Sequence, residues 1–291
     1  MSSDIMPMTE PRPRRQRSQG SGVADAALLF DEPGPRGRIL IAIGSVVAVI
    51  GIAALAAAVL YRLDLAGQLD YPKWRYFLGQ SVVSQLLEAA GTTLTLGGVA
   101  AVLTFPLGIA LGWLRLLDNR PIKWLIGLWI DAMRAVPMLL LVYFFLLVVP
   151  RFATISDFWK LALPIVMCTS ATTAEVFRSG VRALDRGQTE AAWALGMSPS
   201  LTMRLILAPQ ALRLMLPTLI TQMVTIIKGT TLAYVLAYPE LMYRGSTMIG
   251  QAKIDAHLSV FFQTYVIIAV LYIIVNWSLG ALARYIESRT R

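Results

Sequence analysis

The chain contains one cysteine, Cys168, and one histidine, His257, among 291 residues. A disulfide needs two cysteines and a Cys/His zinc site needs a cluster, so both are excluded. Charge is scarce too. Asp, Glu, Lys and Arg make up 15% of the chain, against about 25% in a typical soluble domain. No Ser/His/Asp constellation and no paired-carboxylate pattern is present. The phosphate-cradling loop G-x-x-x-x-G-K-[ST] does not occur, so the chain is not expected to hydrolyse ATP. The sequence therefore predicts no catalytic residue, metal ligand or cofactor-binding residue. Nor does it carry an internal repeat of the kind used by inverted-repeat carriers.

Apolar residues are abundant, at 56% of the chain. Residues Ile39–Tyr61, Ala89–Leu114 and Leu258–Ala283 are free of charge. Each exceeds the roughly 20 residues that cross hydrocarbon as a helix. The runs are continuous rather than alternating, so the fold class is an all-α polytopic membrane protein and not a barrel. About six spans are expected: 39–61, 85–114, 122–149 interrupted by Asp131 and Arg134, 160–177, 206–237 and 258–284. The first, rich in Gly and Ala, reads as an extra peripheral helix on a five-helix core at 85–286. Residues 1–38 are polar and rich in Pro, Arg and Ser, read as a disordered tail, and show no cleavable signal.

The net charge of +9 does not point to nucleic acid, because the basic residues sit at span ends beside the lipid bilayer. One side collects Arg12, Arg14, Arg15, Arg17, Arg36, Arg38, Arg115, Arg120, Lys123, Arg178, Arg182, Arg186, Arg204, Arg213, Arg284, Arg289 and Arg291. The other holds only Arg62, Lys73, Arg75, Arg151, Lys160, Arg244 and Lys253. The positive-inside bias places both termini in the cytoplasm, with the charged interval 178–213.

That interval carries the most specific pattern in the chain. Glu190-Ala191-Ala192 opens it, Gly196 follows, and Ser198-Pro199 lead towards Ile206 and Pro209. Glycine permits the left-handed backbone that ends a helix, serine caps the next one, and proline fits its first position. Two short helices around a glycine stop are expected over 183–209, with small residues that let a partner approach closely.

From Ala174 to Gln251 the chain resembles the permease subunits of ABC importers for polar amino acids. Their loop signature runs Glu-Ala-Ala, three residues, Gly, nine residues, Ile-x-Leu-Pro, and Glu190, Ala191, Ala192, Gly196, Ile206 and Pro209 match it. Ala208 stands where the family usually has Leu. The resemblance extends to Arg134-Ala135-Val136-Pro137, Pro209-Gln210-Ala211-Leu212-Arg213, Lys228 and Pro239-Glu240-Leu241. It implies a coupling helix at Glu190, Ala191, Ala192, Gly196, Ser198 and Pro199 that docks on a separate ATPase subunit, which alone uses ATP. It also implies a second permease subunit, identical or related, and an extracytoplasmic solute-binding protein. The N-terminal extension and extra span resemble the glutamate-type branch, so glutamate is the expected substrate, with aspartate or glutamine next. Alternatives are an importer of arginine or histidine, an ion-coupled carrier, or a membrane scaffold for an ATPase.

Ionisable groups at membrane depth are costly and usually face a cavity or a partner. Asp131 and Arg134 share a helix face at a spacing of three. They form either an ion pair that locks the third span or a path in which Arg134 meets a substrate carboxylate. Lys228-Gly229-Thr230-Thr231 interrupts the fifth span. The resembling family usually has Lys-Asp-Thr-Ser there, so Lys228 lacks the neighbouring acid. It either meets an anionic substrate or pairs with Glu240 or Asp255. The hydroxyls of Thr169, Ser170, Thr172 and Thr173 are expected to bond carbonyls or neighbouring helices. Glu175 is expected to pair with Arg178 or a loop cation.

Overall fold

The computed structural model describes residues 34–290. The expected tail therefore falls largely outside the described residues, and its last residues turn out to be helical. The chain divides into two units, one ending at Ala66 and one from Gly67 onward. The first contributes α1, Pro35–Leu65, which starts on a proline at its first position and outruns the expected 39–61 at both ends.

The second unit opens with the short helix α2, Tyr71–Arg75, and a 3-10 turn, Tyr76–Leu78. There follow α3, Gln80–Leu114; α4, Arg120–Ala135; α5, Met138–Leu147; and α6, Asp157–Arg182. The charged interval forms α7, Arg186–Ala194, and α8, Pro199–Thr202. Then come α9, Ala208–Gly229; a 3-10 segment, Thr230–Leu236; α10, Leu241–Asp255; and α11, Phe261–Thr290.

The all-α expectation holds, and the six expected spans sort as follows. Helix α1, α3, the run Pro199–Leu236 and Phe261–Leu282 are long and apolar enough to cross a membrane. The expected third span is instead two helices, α4 and α5, bent by 96°. The break is local: Val136 and Pro137 are both extended (ψ 128° and 127°), and proline biases its predecessor out of the helical region. The expected fourth span lies inside α6, which is 26 residues long but diluted by hydroxyls. The fifth span and the second loop helix are one run. A π-turn, Met203–Leu207, joins α8 to α9 ahead of Pro209, whose missing N–H interrupts the α register. Helix α10 was not expected at all.

The pair α3 and α6 forms the centre. Gly108 and Gly112 lie four apart, and small residues at that spacing let backbones approach closely. A Cβ at Gly108 would sit 2.5 Å from the Thr173 Cβ, and one at Gly112 would sit 2.6 Å from the Ala174 carbonyl. Around this contact Leu111, Ile130, Ala171 and Ala174 form one buried cluster. Leu96, Val142 and Leu161 belong to another. The hydroxyls of α6 behave as expected. Thr169, Ser170, Thr172 and Thr173 donate to carbonyls of their own helix, and Thr169 also meets Thr104 of α3 at 2.8 Å.

A candidate coupling loop and its ionic anchor

Helix α7 begins where Asp185 caps it, its carboxylate accepting from the Gly187 amide at 2.7 Å. It ends in a Schellman motif. The Met197 amide donates to the Ala192 carbonyl at 3.0 Å and the Gly196 amide to the Trp193 carbonyl at 2.9 Å. Gly196 sits at φ +74°, the left-handed region that costs other residues about 1–2 kcal/mol. Ser198 then caps α8 by accepting from the Leu201 amide at 3.4 Å, with Pro199 at the first helical position. The stop and restart read from the sequence are thus present in the backbone.

The surface of the loop differs from the expectation in one respect. Glu190, Ala191, Gly196, Ser198 and Pro199 are exposed, but Ala192 is 1% exposed and packs inward. Its small size serves the loop's own packing. The exposed apolar groups are instead Trp193 (57%), Leu195 (82%), Leu201 and Leu205. The signal for them in the sequence is large apolar residues within a charged interval. The Gln210 side-chain amide donates to the Gln188 oxygen at 3.3 Å, tying the start of α9 back to α7.

Only Ala183, Leu184 and Asp185 separate this loop from α6. Near the same end of α6 lies a cluster of charges. Arg115, which caps the end of α3, holds Asp131 of α4 through two nitrogens at 3.2 and 3.0 Å. It also donates to Glu175 of α6 at 3.1 Å. Arg178 holds Glu175 through Nε at 3.1 and 3.0 Å and also through Nη2. The expected Glu175–Arg178 pair is present. Of the two readings of Asp131 and Arg134, the mutual ion pair is absent: packing of the α3 end beside α4 brings Arg115 within reach of Asp131, which it holds bidentately. Arg134 is exposed and makes no ion pair or hydrogen bond among the described residues. The hub is Arg115, a span-end charge whose partners lie on two other helices.

Lys228 is likewise exposed and bonds neither Glu240 nor Asp255. Thr230 and Thr231 donate to the Ile227 and Lys228 carbonyls at 2.7 and 2.8 Å, which carries α9 into the 3-10 segment. Glu240, part of the Pro239-Glu240-Leu241 match and a candidate partner for Lys228, is fully buried. It accepts from the Tyr243 amide at 2.9 Å, capping α10, and from the Tyr272 hydroxyl at 2.7 Å, tying α10 to α11. An acid in an apolar stretch was the available signal.

Residues 104–291 match the family described as binding-protein-dependent transport system inner membrane component. The probable glutamine ABC transporter permease protein GlnP of Bacillus subtilis is 33% identical over 198 residues, 68% of this chain and 89% of that one. The glutamate transport system permease protein GluD of Corynebacterium glutamicum is 34% identical over 230 residues, 77% and 82% of the two chains. A crystal structure of an amino acid ABC transporter with histidines shares the fold, with a TM-score of 0.64 at 24% identity over 72% of this chain and 95% of that one. The glycine-stopped loop, the helical core and these matches agree: the chain belongs to the family of inner membrane components of binding-protein-dependent transport systems.

Proposed function

We propose that the chain is the permease subunit of an ATP-driven importer that carries a polar amino acid across the cytoplasmic membrane, with glutamate first and aspartate or glutamine next. The observation that carries this reading is the loop: a Schellman stop, a capped restart and an exposed apolar set at Trp193, Leu195, Leu201 and Leu205. An exposed apolar patch rimmed by charge is a docking surface. The loop also carries the Glu190, Ala191, Ala192, Gly196, Ile206 and Pro209 signature of permease coupling loops, which supports an ATPase subunit as the partner docked there. The names of the relatives GlnP and GluD support the substrate class.

The loop lies on the cytoplasmic side in this reading, with both termini. Its stiffness matters mechanically. The Gln188–Gln210 bond and the continuous run Pro199–Leu236 make the loop and a span one rigid piece, so displacement of the loop displaces the span. On its other flank, α6 is clamped to α3 and α4 through Glu175, Arg115 and Asp131. The substrate path then runs along a face shared with a second permease subunit. Arg134 and Lys228 are exposed and without ion pairs among the described residues, which supports a role for them in meeting a carboxylate there; Asp131 is committed to Arg115 and leaves the path. Thr230 and Thr231 serve the backbone of the same segment. A solute-binding protein delivers the amino acid from outside.

The test is reconstitution of the assembled complex in proteoliposomes with labelled glutamate, glutamine and arginine. Uptake of glutamate or glutamine that requires ATP, the ATPase subunit and the binding protein is expected. Uptake driven by an ion gradient without them would make the chain a carrier instead, and preference for arginine would reassign the substrate.

A further inference from the structure

We propose that the outward face of α9 is a wet wall on which the transported amino acid rests, Lys228 meeting its α-carboxylate and Thr221 and Thr225 accepting from its α-ammonium group; this rests on the importer reading above. Lys228, Thr225, Thr221 and Thr218 follow one another at spacings of three, four and three, which places them on one side of the helix. All four are exposed. The side that packs into the protein carries Ala211, Met215, Ile226 and Ile227 instead.

The face is distinguished by what it lacks. Between Leu214 and Tyr234 no large apolar side chain is exposed. Helix α11 exposes Val270, Ile273, Ile274 and Trp277 over a comparable length, and α1 exposes aliphatic side chains along 39–60, where Ser45 is its one polar residue. Those faces suit hydrocarbon. The α9 face lies in a run long enough to cross a membrane, yet it offers hydroxyls and a cation. Such groups at membrane depth face a water-filled cavity or a partner rather than lipid. At its Thr218 end the face meets a recess of about 370 Å³ between α6 and α9, lined by Glu175, Ser179, Leu214, Met215 and Thr218. That volume falls within the range of small-molecule sites, about 300–1,000 Å³.

Hydrogen-bond polarity sets the orientation of the ligand. The Thr221 and Thr225 hydroxyls donate to the Pro217 and Thr221 carbonyls at 3.2 and 3.1 Å. A hydroxyl that has donated its hydrogen still accepts, so both present acceptors to whatever lies outside. Lys228 presents only donors and makes no ion pair or side-chain hydrogen bond among the described residues. Side chains three apart on a helix stand about 5–6 Å apart at Cβ. One α-amino acid bridges that gap with a hydrogen bond at each pole, its carboxylate at Lys228 and its ammonium one turn away at Thr225. A simple anion or a simple cation would use half of the arrangement.

Thiol reactivity tests the wall in the assembled complex, held in lipid nanodiscs with the ATPase, the binding protein and ATP. Cys168→Ser removes the one native thiol, and single cysteines then replace Thr221, Thr225 or, on α11, Ile273. Thiols react as thiolates, which form in water and not in hydrocarbon. A charged methanethiosulfonate should modify Thr221→Cys and Thr225→Cys about ten-fold faster than Ile273→Cys. Equal rates at the three positions overturn the proposal. Uptake kinetics in proteoliposomes test the ammonium contact. Thr225→Val should raise the KM for the amino acid carried about five-fold, the loss of one hydrogen bond to a charged group, with ATP hydrolysis unchanged, and Thr225→Ser should keep the parent value. Thr95→Val on α3, where the hydroxyl likewise donates to a carbonyl of its own helix, should change nothing. An unchanged KM in Thr225→Val, or an equal rise in Thr95→Val, overturns the contact. Every variant is measured in a background whose parent shows ATP-dependent uptake, so these failures strike the α9 face alone; a parent that takes up substrate on an ion gradient without the ATPase strikes the importer reading instead.

Discussion

At the residue scale, two positions carry unusual constraints. Gly196 is held at φ +74° with nothing within 4 Å of a built Cβ, so space is not the issue and backbone strain is. Gly196→Ala should cost about 1 kcal/mol and Gly196→Val more, all of it within the loop. Membrane insertion and thermal unfolding of the isolated subunit should barely change, whereas co-purification with the ATPase should fall. Normal co-purification of Gly196→Val would remove the loop from the docking surface. Arg115 is constrained differently, by the carboxylates it satisfies. Its side chain and that of Glu175 are largely shielded, while Asp131 is mostly exposed. Arg115→Gln should therefore destabilise chiefly through Glu175, by about 2 kcal/mol, and Asp131→Asn by well under 1 kcal/mol. Thermal melts in detergent would separate the two, and equal effects would contradict the asymmetry.

At the element scale, the α3–α6 contact and the α10 attachment hold the core in different ways. The first is steric. Gly112→Ala places a methyl 2.6 Å from a backbone oxygen that cannot rotate away, and should cost about 2 kcal/mol. Gly98→Ala, on the same helix with open space around it, should be neutral or slightly stabilising because alanine favours helix. A reversal of that order in melting temperature would show that the helices are not in van der Waals contact. The second attachment is polar. Glu240→Ala leaves the Tyr272 hydroxyl and the first amides of α10 without an acceptor, at about 2–3 kcal/mol, whereas Glu240→Gln keeps an acceptor and should retain most of the stability. The bend between α4 and α5 belongs to this scale as well. It turns an expected straight span into two elements set at 96° to each other.

At the scale of the whole molecule, the unit from Gly67 onward contains the loop, the ionic cluster and every close helix contact described above. The family match begins at residue 104, within that unit. Removal of residues 1–30 should accordingly leave ATP-dependent uptake close to that of the full chain when expression is matched. Loss of uptake at normal expression would assign the N-terminal segment a working role. In the proposed importer, two connections join the loop to the core, the continuous run Pro199–Leu236 and the α6 helix clamped by Arg115. Arg115→Gln should thus lower uptake more than it lowers ATP hydrolysis by the complex.

The sequence by itself determined the fold class, the position of the loop and its stop and restart, because these depend on local chemistry: apolar run length, glycine's freedom at positive φ, and the hydroxyl cap. The i, i+3 pair Glu175–Arg178 was legible for the same reason. The tertiary structure alone decided which partner each charge takes and how the spans are cut. Asp131 lies one turn from Arg134 yet binds Arg115, sixteen residues away, since a helix surface offers several geometries and only packing selects among them. Ala192 looked like a contact residue and is buried, because a small side chain in a pattern does not say which side of its helix faces inward. Glu240 and Tyr272 meet across thirty-two residues, a pairing that no local spacing encodes.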